Sequence, residues 1–283
     1  RRAAITPTDV AKLLEQHPHL KFVVQPSEKR IFRDNEYIKA GATISDDLSE
    51  CSAIFGVKEV PISELMPNRT YVYFSHTIKA QEYNMPMLDH ILKEKIRLVD
   101  YEKITDDNNQ RLVAFGKFAG NAGALDFLCG IGKYFLNLGF STPFLNMSYA
   151  YTYKNLERAK EIVKDVGEAI ADGGIPLSHA PFIFAITSSG RCSQGVMEIL
   201  ECLPVKVVDP DEIEGLVNDK ENPAHRCTVY VTFIETQHMV KPAQEGREFS
   251  KEEYYKKPDK YVPYFHEKYL PYISVIFHCM FWD

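Results

Sequence analysis

The sequence predicts an α/β protein with two doubly wound parallel-sheet domains joined by a long glycine-containing helix, and three observations predict it. Short apolar runs alternate with amphipathic segments of helical period, and strands separated by helices pair in parallel because the chain must cross over to re-enter the sheet. The length, 283 residues, suits two cores better than one, at roughly 100 to 200 residues per domain. From Ala119 to Leu138 the chain is largely apolar yet contains Gly120, Gly123, Gly130 and Gly132. A glycine inside a helix costs up to about 1 kcal/mol against alanine, so four of them indicate close packing on another backbone, as in an interdomain helix.

The elements follow in order. Thr8 to Gln16 reads as a helix capped by Thr6 or Thr8, and Lys21 to Gln25 as a strand. Glu36 to Ala40 is a short helix stopped by Gly41, and Ala53 to Val57 a buried strand. Thr70 to Phe74 is a strand, Asn84 to Glu94 a helix and Arg97 to Tyr101 a strand, which repeats the unit. Asn155 to Ile170 is a helix, broken by Gly173-Gly174-Ile175-Pro176. These readings place a catalytic or substrate domain at 1–140, interdomain helices at 141–180 and a second domain at 181–283.

Composition excludes several function classes. Lysine and arginine number 33 against 39 acidic residues and are scattered, so no basic field exists for nucleic acid. The six cysteines form neither CxxC pairs nor Cys/His clusters, which argues for a reducing compartment and against a structural metal. No run of about 18 apolar residues appears, so no membrane-spanning helix is expected. The chain opens on Arg1-Arg2 without Met, so any targeting segment would lie outside it, and an apolar strand from Ile273 to Phe281 reaches the last residues, as in a fold truncated at its carboxyl end.

The second domain opens with an apolar strand, Pro181 to Ile186. Thr187-Ser188-Ser189-Gly190-Arg191-Cys192-Ser193-Gln194-Gly195 follows, then a helix from Val196 to Leu203, a strand from Val205 to Val208, and Asp209. Asp209 lies 209 − 190 = 19 residues beyond Gly190. Strand, glycine turn, helix, strand and acid form the Rossmann-like dinucleotide layout, in which helix amides hold a pyrophosphate and the acid binds a ribose hydroxyl. The signature is degenerate, with Ser188, Gly190 and Ser193 at its three positions and Gly195 displaced, so an ordinary strand-turn-helix stays open beside it. Thr228 to Phe233 should be a further strand, and the tyrosine-rich Glu245 to Tyr272 short helices and loops at a surface.

Chemistry concentrates in the first domain. Lys58 follows a strand directly, at the carboxyl end where open α/β sheets bind ligands, and His76 stands at the end of the next such strand. Each alone also reads as a surface lysine or a structural histidine; together they can share a pocket and move protons. Glu59, and Asp100 with Glu102 at a third strand end, can set the local charge, while Arg2 and Arg111 offer forks for substrate carboxylates or surface salt bridges.

These residues carry a resemblance. Arg2-Ala3-Ala4-Ile5-Thr6-Pro7, Gly56-Val57-Lys58-Glu59-Val60-Pro61, Phe74-Ser75-His76-Thr77-Ile78-Lys79-Ala80-Gln81, Leu98-Val99-Asp100-Tyr101-Glu102 and Phe115-Gly116 through Gly123 look like the lysine-ketoglutarate reductase family. That family is related to lysine-forming saccharopine dehydrogenases and, more distantly, to alanine dehydrogenases. The resemblance implies reversible reductive condensation of L-lysine with 2-oxoglutarate to saccharopine, in lysine degradation. It implies Lys58 and His76 as the acid-base pair, Glu59 and Glu102 as groups tuning their charge, and Arg2 and Arg111 as carboxylate binders. It further implies a nicotinamide cofactor bound by Ser188, Gly190, Arg191, Ser193, Gly195 and Asp209. The family points to NADP, whereas Asp209 by itself favours NAD, with Lys206 or Arg191 as candidate compensating cations. A fused saccharopine dehydrogenase domain beyond the chain and a mitochondrial matrix or cytoplasmic setting belong to the same expectation. The competing readings are an NAD-dependent, alanine dehydrogenase-like enzyme and a non-catalytic binding module.

Overall fold

The computed structural model describes residues 2–219 and 221–280, and the chain divides into two compact units, 1–114 and 115–283.

In the first unit, helix α1 (Pro7–Gln16) starts where Thr6 accepts from the Asp9 amide and Asp9 returns a bond to the Thr6 amide, a reciprocal cap. It buries Val10 with Tyr37 of helix α2 (Asp34–Lys39), whose hydroxyl donates to the Ile5 carbonyl at 2.7 Å. Strands β1 (Val23–Val24) and β2 (Thr43–Ile44) pair in parallel beside them; the second has no expectation from the sequence.

The main sheet of this unit is parallel, with order β3-β4-β5: β3 (Ala53–Lys58), β4 (Thr70–Phe74) and β5 (Arg97–Asp100). Helix α3 (Met85–Lys93) crosses from β4 to β5 and packs Met87 and Ile91 on Tyr71 and Tyr73. The central strand is buried from Tyr71 to Phe74. β3 is not the buried strand the sequence suggests: it lies at the edge of this sheet, with Ala53, Phe55 and Lys58 exposed. Its pairing with β4 slips between Phe55 and Lys58, so that Gly56 and Val57 stand opposite Tyr73 alone. A bulge of this kind breaks the alternation of side chains and re-aims the residue that follows, here Lys58.

In the second unit, β6 (Phe182–Thr187), β7 (Val205–Val207), β8 (Val229–Ile234) and β11 (Val275–Phe277) form a parallel sheet of order β11-β6-β8-β7. All six residues of β6 are buried, as befits an inner strand covered on both faces. The strand expected to reach Phe281 ends at Phe277, and residue 281 itself lies outside the described residues. The tyrosine-rich stretch contains a strand pair absent from the expectation, β9 (Val240–Pro242) antiparallel to β10 (Tyr261–Pro263). Phe249, Tyr254 and Tyr261 pack on one another there, while Tyr269 is buried in the core beneath the sheet.

Helices α4 (Gly116–Asn137), α5 (Leu156–Gly173) and α6 (Arg191–Leu200) complete the larger core, where Leu125, Leu128, Val163, Val166 and Ile199 meet Phe184 and Ile186. The division after Ala114 falls earlier than the bounds of 140 and 180 read from the sequence, because α4 packs within the second unit. It crosses α6 at two glycines: a Cβ on Gly120 would stand 2.0 Å from the Cys192 carbonyl oxygen, and one on Gly195 2.0 Å from that of Lys117. Gly132 similarly admits the Phe144 carbonyl, but Gly123 and Gly130 meet nothing within 4 Å, so two of the four glycines serve the close packing expected of them.

All six cysteines are free thiols, no described helix is long and apolar enough to cross a membrane, and no described cluster of His, Cys, Asp or Glu is arranged to hold a metal ion.

Candidate active site

The carboxyl ends of β3, β4 and β5 assemble the polar groups of the first unit. Lys58 pairs in register with Phe74, and Tyr73 with Asp100, so the three strands end side by side. His76 lies two residues past β4, Glu59 one past β3, and Glu102 two past β5. A bend holds His76 in place. Its backbone is left-handed (φ 56°, ψ 7°), which is uncommon outside glycine and asparagine and persists only where neighbours enforce it.

The enforcing contacts are visible. Asp100 Oδ2 accepts from the Ser75 amide at 3.2 Å and from the Ser75 hydroxyl, while its Oδ1 accepts from the Glu102 amide at 2.8 Å. The Ser75 hydroxyl in turn accepts from the Thr77 amide at 3.2 Å and lies 2.9 Å from Thr77 Oγ1. Asp100 therefore clamps the ends of β4 and β5 together. Beyond it Tyr101 to Lys103 turn into a 3-10 helix that Asp100 caps, so Glu102 departs from the strand's alternation.

Glu102 is the centre of the charged network. Its Oε2 lies 3.2 Å from His76 Nδ1, and its Oε1 lies 3.1 Å from Arg111 and 3.8 Å from Lys79 Nζ. Its side chain is 10% exposed, so this carboxylate meets a histidine and two cations with little water between them. Binding through Nδ1 fixes the His76 ring and leaves Nε2 for proton exchange. The ring stacks on Phe74 at 6.3 Å, and the Arg111 guanidinium lies over the same Phe74 at 5.9 Å. Arg111 is delivered by a tight hairpin in which Asp106 Oδ1 accepts from the Asn108 and Gln110 amides and Thr105 bridges to Arg111. Beneath the strands, burial above all, followed by the nearby Tyr71, Glu59 and Asp100, pushes Tyr73 up to about 12, so it remains a neutral phenol.

Of the residues read from the sequence, His76 and Arg111 both meet Glu102, and Lys58 and Glu59 stand at the neighbouring strand end. Arg2 is exposed in the extended residues ahead of α1. Lys79 and the Ser75/Thr77 pair escaped sequence reasoning, although both lie in the same run as His76; the signal was a histidine flanked by hydroxyls with a lysine one 3-10 turn later. A cavity of about 590 Å³ flanks this region and shares Thr77 and Asp100 with the network. Its lining omits Lys58, His76 and Glu102.

The second unit holds the expected turn in altered form. α6 begins at Arg191, five residues before the expected Val196, because the chain reverses at once: Ser188 adopts φ 65° and its amide donates to the Ile234 carbonyl at 2.9 Å. Ser193 is buried and donates to the Thr187 carbonyl at 3.1 Å, with the Ser188 hydroxyl 3.2 Å away, so these two serines bind the turn to itself. Gly190 caps the helix, and a Cβ there would meet only Ser188 Oγ at 3.8 Å, which leaves the backbone open to a phosphate. The first-turn amides of α6, from Arg191 onward, lack intrahelical acceptors, and this backbone fits the pyrophosphate of a dinucleotide. Gly195 is taken up in the crossing with α4.

Asp209 stands differently from expectation. β8, not β7, lies beside β6, so Asp209 is one strand farther from the turn than the dinucleotide layout requires. Its Oδ1 accepts from the Asp211 amide at 2.9 Å, capping a 3-10 turn.

The chain is similar to several known proteins. Residues 1–122 match the family described as alanine dehydrogenase/PNT, N-terminal domain. Over its full length the chain is 44% identical to alpha-aminoadipic semialdehyde synthase of Arabidopsis thaliana and 39% to the mitochondrial alpha-aminoadipic semialdehyde synthase of Bos taurus, spanning 28% and 30% of those proteins. A saccharopine dehydrogenase [NAD(+), L-lysine-forming] of Candida glabrata is 30% identical over 75% of this chain and 55% of its own length. An L-alanine dehydrogenase structure superposes with a TM-score of 0.48 at 15% identity, covering 82% of this chain and 56% of that one. The chain is thus similar over its full length to the N-terminal region of alpha-aminoadipic semialdehyde synthase, and its residues 1–122 match the alanine dehydrogenase/PNT N-terminal domain family.

Proposed function

We propose that this chain is the lysine-ketoglutarate reductase portion of a lysine-degrading enzyme, condensing L-lysine with 2-oxoglutarate and reducing the resulting imine to saccharopine. The observation that carries the reading is the convergence of Lys58, His76, Glu102 and Arg111 at adjacent carboxyl ends of one parallel sheet. The relatives' names, an aminoadipic semialdehyde synthase and a lysine-forming saccharopine dehydrogenase, supply the substrate class.

Condensation requires protons to leave the lysine ε-amine and to reach the carbinol oxygen before water departs. His76, held through Nδ1 by Glu102, presents Nε2 for that exchange. Lys58, re-aimed by the bulge at Gly56, carries the partner amine at the neighbouring strand end. Lys58 is exposed at the end of β3, so its ammonium is open to a substrate oxygen or carboxylate. Arg111 and Lys79, both set on Glu102, offer cations to a carboxylate that competes for them. In the second unit the turn at Gly190 and the start of α6 hold the nicotinamide dinucleotide, which when bound supplies the hydride. The larger relatives fit a saccharopine-oxidising partner domain in the same polypeptide, and the mammalian relatives' names favour a mitochondrial setting.

The test is oxidation of reduced nicotinamide by the full chain with L-lysine plus 2-oxoglutarate. We expect turnover that needs both substrates and product of the mass of saccharopine. Turnover with pyruvate and ammonia alone would replace this reading with an alanine dehydrogenase-like one.

A further inference from the structure

We infer that the outer face of α4 pairs two copies of this chain antiparallel about a two-fold axis, with Phe127 and Tyr134 of each copy seated in the glycine notches of the other.

The make-up of the face sets it apart. α5 turns Glu157, Arg158, Glu161, Lys164, Asp165 and Glu168 to water, as an outer helix does. α4 instead exposes Gly123, Phe127, Gly130 and Tyr134, which succeed one another at intervals of four, three and four residues and so form one stripe. Phe127 is 45% and Tyr134 60% exposed. Gly120 and Gly132 are taken up by close packing within the unit, but Gly123 and Gly130 meet no atom within 4 Å. Each of these two weakens the helix by about 1 kcal/mol against alanine, with nothing in one copy to offset it.

Register points to a second copy as the occupant. In an antiparallel two-fold pair, each residue before the axis meets the one equally far beyond it. With the axis level with the midpoint between Leu128 and Cys129, Phe127 and Gly130 each lie one and a half residues from it, and Gly123 and Tyr134 each five and a half. Both rings of one helix therefore face both glycines of the other, and reciprocally, as knobs meet holes. A parallel two-fold pair sets every residue against its own copy, ring on ring and notch on notch.

Charge selects the same arrangement. Asp126 and Lys133 precede Phe127 and Tyr134 by one residue each, so both lie on one flank of the stripe. Antiparallel pairing brings like flanks together, and Asp126 of one copy comes within two residues, about 3 Å of helix rise, of Lys133 of the other. A parallel pair would instead set Lys133 on Lys133. The flank is ordered in advance: Asp126 Oδ1 accepts from the Ala150 amide at 2.6 Å, and Lys133 donates to the Tyr149 hydroxyl at 2.8 Å. The Tyr149 ring stacks on Tyr151 at 5.7 Å, and Phe127 stands edge-on to Phe277 at 5.3 Å. Side chains already held in place lose less freedom when a partner docks.

The test is sedimentation velocity and light scattering of the full chain over a range of concentrations, without substrate or nucleotide. We expect a reversible dimer of twice the mass of one chain. Gly130→Leu fills the notch while favouring the helix, so it should weaken association about tenfold or more and leave the urea midpoint of the dilute, monomeric chain undiminished. Asp126→Lys and Lys133→Glu should each weaken association about threefold to tenfold. The two together should restore it, since the exchanged charges meet again across the axis. A chain monomeric at every concentration overturns the inference and leaves the face to a different occupant. A dimer untouched by Gly130→Leu overturns it as well, as does a double variant that associates no better than either single one. Mass is the only readout of association, so failure of the reductase reading leaves the pairing standing.

Discussion

The strand ends of the first unit and the α4–α6 crossing of the second are built from opposite materials. Around Glu102 the working parts are long polar side chains, and the backbone is bent to present them: His76 sits in a left-handed conformation that Ser75, Thr77 and Asp100 enforce. At the crossing the working part is the backbone, and the side chains have been removed to let it through, as Gly120 and Gly195 show. The contrast teaches where substitutions should hurt. Changes at the strand ends should alter chemistry and spare stability, whereas changes at the crossing should do the reverse.

The largest expected effect is on turnover. Lys58→Met and His76→Gln should each lower kcat by about 10²- to 10⁴-fold, the usual contribution of a general acid or base, with unfolding midpoints close to the parent's. Both side chains lie on the rim of the fold, Lys58 exposed and His76 24% exposed, so neither truncation opens a cavity in the core. The check is steady-state kinetics beside urea unfolding; a variant that loses activity only in proportion to its stability would erase the contrast.

Next in size comes the crossing. Gly195→Ala places a Cβ 2.0 Å from a carbonyl oxygen of α4, which no side-chain rotation relieves, so the helices must separate. Overpacking of this kind costs about 1 to 3 kcal/mol and occasionally more, read as a lower urea midpoint. Gly123→Ala on the same helix sharpens the comparison, since it meets no atom within 4 Å. It should stabilise by about 0.5 to 1 kcal/mol through helix propensity alone. Equal effects at the two positions would mean that the crossing is looser than its backbone distances imply.

Legibility in the sequence follows the same division. The placing of Lys58, His76 and Glu102 at neighbouring strand ends was readable from the apolar runs that precede them, whereas Arg111 is one of eleven arginines and only the family resemblance singled it out. The parallel sheets were readable from the alternation of runs. What escaped was relational. The bulge before Lys58 depends on how β3 is registered against β4, and no residue in Gly56-Val57-Lys58 announces it. The start of α6 was misplaced because a serine, not a glycine, takes the left-handed position at 188. The insertion of β8 between β6 and β7 turned a correct spacing into a wrong neighbour. Gly195, read as part of the nucleotide turn, is instead the surface on which α4 rests.

The smallest expected effect joins charge to that resting surface. Glu198 on α6 lies 3.0 Å from Lys117 and 3.1 Å from Asn121 of α4, and 3.2 Å from Lys160 of α5, so one carboxylate ties three helices. The Lys117 ammonium first, then the Asn121 amide and Lys160, hold Glu198 down at about 2. A carboxyl depressed in the folded state contributes stability that is complete above its unfolded value of about 4.3 and is lost as pH falls toward 2. Its side chain keeps 23% of its surface in water, and solvent screening limits the whole contribution to about 1 kcal/mol or less. Glu198→Gln should therefore lower the urea midpoint slightly at pH 6 and flatten its decline between pH 4.5 and 2. Lys58→Met, at the strand ends of the other unit, should leave that acid limb unchanged. An acid limb as steep in Glu198→Gln as in the parent would show that the helices are held by their glycines and apolar faces alone.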